Sequence, residues 1–259
     1  MTPDALLAFA DGVATGAIRT VDLTQTLSPD TPTLVLPEPF GQCAPFQMEE
    51  ISRYDERGVA WYWNNFSVGE HTGTHFDAPI HWVTGRDLAD NTLDTIRPGE
   101  FVAPAVVIDV SAKAAADPDY LLTVADIEAW EAEHGTIAPR SWVMLRTDWS
   151  KRSPEDYVNR REDGAHTPGP STEAVRFLVE ERDAHGFGVE TIGTDAGQAH
   201  LLEPPYPAHT LFHGAGRYGL QCLQNLDQLP PTGSVVVAAP LKIKGGSGSP
   251  LRVLAFASA

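Results

Sequence analysis

Hydrophobic positions along the chain recur with two periods. Residues 4–17 place Leu6, Leu7, Phe9 and Val13 near helical spacing and predict a short amphipathic helix. Residues 21–27, V-D-L-T-Q-T-L, alternate apolar and polar side chains and predict a half-buried strand. Proline dominates residues 29–45 and predicts a long loop, with at most a short strand over 34–36. Strands are expected over 47–53 and 59–68, the second carrying Trp61, Tyr62, Trp63 and Phe66. The β-branched run 105–110 and the apolar run 142–147 predict buried strands. Thr123 is placed to cap a helix through Glu133 that Gly135 ends. Ser171 is placed to cap a second helix to about His185, with Gly186 as its stop. Further strands are expected near 187–193, 234–239 and 251–257, with G-G-S-G-S-P at 245–250 as a tight loop between short strands. Residues 151–168 are polar and irregular: either a cover over a site or a mobile loop. No repeat and no low-complexity linker divides the chain. The pattern predicts one mixed α/β domain over residues 1–259 in which strands dominate.

Composition narrows the function classes. The 259 residues carry 18 Lys and Arg against 35 Asp and Glu, a formal charge of −17. Nucleic acid and anionic membranes are therefore not expected partners, because neither would gain phosphate neutralisation. Solubility is the simplest account of the acidity. No apolar run approaches the roughly 20 residues of a membrane span. The N-terminus has no basic stretch followed by a long apolar one, so no signal peptide is expected. Two cysteines, Cys43 and Cys222, are too few for a disulfide scaffold and suit a reducing compartment. The expected address is the cytoplasm. Cys222 either lines a site or serves as a small buried hydrophobe.

The candidate chemistry is concentrated in residues 71–82, H-T-G-T-H-F-D-A-P-I-H-W. Three of the nine histidines fall within eleven residues, beside Asp77. Imidazole is costly to bury unless its nitrogens find partners, and neutral imidazole is a common metal ligand. The spacing of His71 and His75 would suit a helix, but Gly73, two threonines and Pro79 oppose one. The stretch instead reads as a shaped loop leaving a strand, with His75 and Asp77 pointing to the same side. Two imidazoles and a carboxylate leave positions open for water and substrate, as catalytic metal sites do. His81, after a rigid Ala-Pro, is placed to move a proton without being a ligand. A plain cluster of hydrogen-bonded surface histidines is the alternative. Trp61 and Trp63 share a strand face and form either an aromatic wall for a flat substrate or ordinary core; Trp82, next to His81, is a further candidate for contact with substrate.

The run 71–82 resembles the signature of the cyclase-like metal-dependent amidohydrolases, a family that includes kynurenine formamidases and isatin hydrolases. The resemblance continues through P-G-P-S-T-E-A at 168–174, G-T-D at 193–195 and H-T-L-F-H-G-A-G at 209–216. It extends to N-L-D-Q-L-P at 225–230 and L-K-I-K-G-G-S-G-S-P-L-R at 241–252. It implies a mixed-sheet domain with a barrel-like core flanked by helices, forming a homodimer. It implies His71, His75 and Asp77 as metal ligands, His81 as the catalytic acid–base, and functional roles for His209 and Gln221. Formamidases of the family usually carry Glu at the position of Gln221 and hold two zinc ions; the isatin-cleaving members carry Gln and hold one manganese. A neutral amide cannot bridge two cations as a carboxylate can, yet it offers a hard carbonyl oxygen. Gln221 is otherwise an ordinary polar residue on a strand. The expectation is hydrolysis of the C–N bond of a small aromatic amide, a cyclic lactam of the isatin type, with Mn²⁺ (Zn²⁺ as alternative). N-formylkynurenine hydrolysis is the runner-up, and a non-catalytic metal-binding protein is the alternative of another class. No G-x-S-x-G elbow suggests a nucleophilic triad.

Overall fold

The computed structural model describes residues 3–259. The first helix, α1 (Pro3–Thr15), ends at Gly16, whose φ of +80° suits glycine. Fifteen strands follow: β1 (Ile18–Asp22), β2 (Gln47–Asp55), β3 (Gly58–Ser67), β4 (His75–Asp77), β5 (Val102–Asp109), β6 (Leu121–Leu122), β7 (Trp142–Arg146), β8 (Arg160–Arg161), β9 (Gly164–Ala165), β10 (Gly169–Pro170), β11 (Gly186–Val189), β12 (Tyr218–Gln221), β13 (Ser234–Val237), β14 (Gly248–Pro250) and β15 (Leu254–Ser258). Between them lie α2 (Ser111–Ala116), α3 (Val124–His134) and α4 (Thr172–Arg176), the last running into a π-helical turn over Phe177–Glu181.

Nine strands form one curled half-barrel sheet in the order β1-β15-β13-β5-β7-β11-β12-β4-β14. The centre, β5-β7-β11-β12, is parallel, and every flanking pair is antiparallel. Parallel strands are usually buried on both faces, and these are. Ala105, Val107, Trp142 and Met144 feed one core with Phe76, Leu220 and Val236. Their neighbours Val106, Ile108, Val143 and Leu145 feed the other, under Ile127 and Trp130 of α3 and Val175 of α4. The period of two thus serves two cores at once. The ribbon β2–β3 stands apart as its own two-stranded sheet. Among the described residues no helix is long and apolar enough to cross a membrane.

The helix ends at Thr123 and Gly135 are as expected: Thr123 Oγ1 accepts from Asp126 N–H, Asp126 returns a bond to Thr123 N–H, and Gly135 has φ +89°. Other expectations need correction. The strand expected over 21–27 is Ile18–Asp22, displaced toward the N-terminus because Asp22 Oδ1 accepts Thr24 N–H and turns the chain. No strand forms over 34–36; the Gln42 side chain instead holds both the N–H and C=O of Leu36. The helix expected to reach His185 stops at Glu181, and Gly186 opens β11 rather than ending a helix. A Cβ on Gly186 would lie 2.3 Å from the Trp142 ring and 2.5 Å from Tyr218 O, so close packing demands the glycine. The loop expected over 245–250 contains β14, and the strand expected over 251–257 is Leu254–Ser258.

Candidate active site

His75 and Asp77 lie on a strand, β4, where a loop was expected. Its central residue, Phe76, points the other way into the core, against Phe101, Trp142 and Tyr218. Burying such a side chain contributes about 1.5–3 kcal/mol, which anchors the strand. The pleat then turns His75 and Asp77 together toward one side. In register, Asp77 is flanked by Gly219 of β12 and Gly248 of β14, and His75 by Gln221 and Pro250. Both glycines leave room: a Cβ on Gly219 would lie 3.1 Å from Asp77 Oδ2, and one on Gly248 would lie 2.4 Å from the His71 ring.

Asp77 is fully buried, and imidazoles ring it. His71 Nδ1 is 2.8 Å and His75 Nε2 3.4 Å from Oδ1; His209 Nε2 is 3.8 Å and His213 Nε2 3.9 Å from Oδ2. The Gln221 amide donates to Oδ2. Burial alone would raise the Asp77 carboxyl, but His81, His71 and His75 around it hold it well below the usual carboxylate range. Three of the imidazoles share one arrangement. His75 Nδ1 bonds Gly73 O at 2.7 Å, His209 Nδ1 bonds Asp195 at 2.5 Å, and His213 Nδ1 bonds Arg217 O at 3.0 Å. A ring that donates through Nδ1 carries its lone pair on Nε2, here facing Asp77. Burial keeps His75 and His213 neutral, with values near 4. For His209 burial pulls down, but Asp195 outweighs it and raises the value.

His81 ends a single 3₁₀ turn, Pro79–His81, directly after β4. Its ring stacks on His71 at 3.8 Å between centroids, and among the described residues its nitrogens make no hydrogen bond with the protein. Burial pushes it down to about 3. Trp82 lies 4.8 Å from His209 and 5.6 Å from Tyr206, its indole N–H bonded to Thr210. The structure therefore gathers His71, His75, Asp77, His81, Trp82, His209 and Gln221. Trp61 and Trp63 stand elsewhere, on the ribbon, 50% and 54% exposed.

Two residues escaped the reading of the sequence. His213 shares a π-helical turn, His209–His213, with His209; the four-residue spacing in H-T-L-F-H was the available signal. Asp195, in G-T-D, accepts from the N–H groups of Ala208 and His209 as well as from the His209 ring, so one carboxylate sets both turn and ring. The segment 151–168 is tied down. Tyr157 is buried, bonds Glu190 O and Gln25, and receives the Trp149 indole N–H on its carbonyl; His166 sits between Asp119 and Asp163.

The donors suit a divalent cation. Gln221 Oε1 is buried with no hydrogen-bond donor. Two groups of three possible ligands share Asp77: His71–Asp77–His81 and Asp77–His209–His213. Nitrogen lone pairs turned toward a carboxylate repel it, and a cation among them removes the conflict.

Comparison with known proteins gives the family. Residues 21–196 match the family model Cyclase, described as "Putative cyclase". An isatin hydrolase of Roseibium aggregatum is 47% identical, with 97% of each chain covered. A kynurenine formamidase of Salinibacter ruber is 28% identical over 90% of this chain and 95% of its own. Among solved structures, isatin hydrolase A from Ralstonia solanacearum superposes with a TM-score of 0.98 at 63% identity, over 100% of this chain and 99% of that one. An isatin hydrolase bound to the product analogue thioisatinate gives 0.97 at 46%, covering both chains fully. A fold, a buried Asp77 ringed by imidazoles and a family match over most of its length place this chain in the cyclase family of metal-dependent hydrolases.

Proposed function

We propose that this protein is a metal-dependent amidohydrolase that opens the lactam ring of isatin to isatinate with one Mn²⁺ per subunit. The observation that carries the reading is Asp77, buried among inward-facing imidazole nitrogens beside the undonated Gln221 carbonyl. The isatin hydrolase relatives supply the substrate. Asp77, His71, His75 and the Gln221 carbonyl would hold the cation, which supplies a Lewis acid for the amide carbonyl and acidifies water. The lactam C–N bond breaks, the water oxygen ends in the new carboxylate, and the ring nitrogen leaves as an aromatic amine. His81 takes the water proton and returns it to that nitrogen; its freedom from protein hydrogen bonds suits a group that must exchange protons. His209, held by Asp195, orients the carbonyl, and Trp82 and Tyr206, packed edge to face, offer apolar surface beside it.

The second reading, N-formylkynurenine hydrolysis with two ions, draws on the second donor group at Asp77. Charge opposes it. Two dications close together need more anionic ligands, and residue 221 is a neutral amide. Metal analysis with a rate comparison of isatin against N-formylkynurenine separates the two; one Mn²⁺ and faster isatin opening are expected. Two ions with faster formamide cleavage would reverse the assignment. Gln221→Glu is expected to raise the stoichiometry toward two or shift preference to zinc. A variant that still takes one manganese would show that residue 221 does not set the count.

We also propose a cytoplasmic homodimer joined through the β2–β3 ribbon. Its exposed residues include Met48, Val59, Trp61, Trp63 and Phe66, a group of large apolar side chains of the kind that marks an interaction surface. A second copy accounts for Trp61 and Trp63 without requiring them at the site. Sedimentation should give a dimer, and Trp61→Glu with Phe66→Glu a monomer; a monomeric parent protein would sink this.

A further inference from the structure

His71 is anchored in the opposite sense to its neighbours. His75, His209 and His213 are fixed through Nδ1 and present Nε2. His71 is fixed through Nε2, 2.9 Å from Ser247 Oγ, and presents Nδ1 to Asp77. Its anchor comes from a distant part of the sequence, the G-G-S-G-S-P segment at 245–250.

Counting protons fixes the direction of the bonds. Ser247 Oγ lies 2.6 Å from Glu70 Oε2, and an ionised carboxylate only accepts. The single hydroxyl proton therefore goes to Glu70. Ser247 Oγ must then accept the proton of His71 Nε2. The neutral ring so held has its lone pair on Nδ1, 2.8 Å from Asp77 Oδ1, and two acceptors face each other. Only a cation held by both, or a second ring proton, reconciles them. The backbone of Ser247 is already secured: its N–H reaches Glu70 at 3.2 Å, and its carbonyl accepts Ala78 N–H at 2.9 Å. Its hydroxyl is not needed to hold the loop. Gly248 completes the arrangement, since a Cβ there would lie 2.4 Å from His71 Cε1.

We propose that Glu70 and Ser247 are positioning residues that hold the His71 ring with Nδ1 toward the metal, on the floor that Gly248 leaves open. This rests on the metal-dependent reading above. The test is calorimetric Mn²⁺ binding to apo-protein, with the absorption spectrum of the Co²⁺-loaded protein as a second readout. Ser247→Ala should weaken Mn²⁺ by about 10–100-fold, the usual cost of losing an outer partner of a ligand, and change the Co²⁺ spectrum. Ser247→Thr, which keeps the hydroxyl, should recover most of both. Glu70→Gln should show a smaller loss, and this half-buried carboxylate keeps the test readable should Ser247→Ala fail to fold. Unchanged affinity and spectrum in Ser247→Ala and Glu70→Gln overturn the inference, as does Ser247→Thr weakened as much as Ser247→Ala. A wild-type protein that binds no divalent ion overturns the proposed function and this inference with it. A wild type that binds Mn²⁺ beside variants that bind equally well overturns only this inference.

Discussion

Asp77→Ala protein is expected to fold and to retain no divalent ion after dialysis. The side chain sits at the end of β4 with its neighbour Phe76 locked in the core, so the strand does not depend on the carboxylate. In the ion-free protein the desolvation of the buried carboxylate, which costs several kcal/mol, is offset by His71, Gln221 and the nearby imidazoles, and both contributions go when the side chain goes. Removing it therefore leaves the melting temperature of the ion-free protein near its parent value. The ion is another matter. Asp77 is the one carboxylate in either candidate ligand group, and the other members are imidazoles, which bring no negative charge. Its loss should weaken binding by at least the ~100-fold that an outer partner can cost. In the parent, Mn²⁺ at a hundred times its Kd adds about 2.7 kcal/mol, roughly 5–10 °C for a chain of this size. The variant should show none of that rise. Full metal occupancy after dialysis, or an undiminished thermal shift, would show that the ion is held elsewhere.

The sequence was most informative where local chemistry and tertiary contact agree. Thr123 and Gly135 bound α3 because a cap and a stop act within a few residues. Trp142–Leu145 was legible as a buried strand because both faces of a parallel strand need apolar side chains. Gly186 misled, because glycine can mean either a turn or a close approach. Here the approach is to Trp142, forty-four residues away in sequence, and nothing local announces it. His75–Asp77 read as loop for a similar reason: three residues become a strand only through β12 and β14 on either side.

The candidate site was legible as an inventory more than as a geometry. His71, His75, Asp77 and His81 stand close in sequence, and the bends at Gly73 and Pro79 bring them around one point. Asp195 and His213 fall within G-T-D and H-T-L-F-H, motifs that do not by themselves state what either side chain does. Asp195 works through a bond to a ring fourteen residues on, and His213 through a π-helical turn that puts it beside His209. The reversed anchoring of His71 was invisible, since Ser247 lies 176 residues from it.

His81→Ala is expected to separate binding from chemistry. The residue rides on a turn secured by the bond of Ala78 N–H to Ser247 O and of Ile80 N–H to Asn91 O, so the backbone places it whatever its side chain. Gly85 packs beneath, where a Cβ would lie 2.0 Å from Pro79 O. The side chain itself is held by stacking on His71 rather than by a directed bond, and burial keeps it neutral, the form a base requires. Alanine should leave the Asp77 cage and its ion intact while kcat falls on the order of 10²–10⁴-fold, with KM little changed. Its neighbour Trp82 still lies tilted against His209, so the surface offered to substrate survives. Steady-state rates on isatin, measured beside metal analysis of the same preparation, read both effects. Loss of the ion would instead make His81 a ligand, as its grouping with His71 and Asp77 permits, and an unchanged kcat would give the proton to another group.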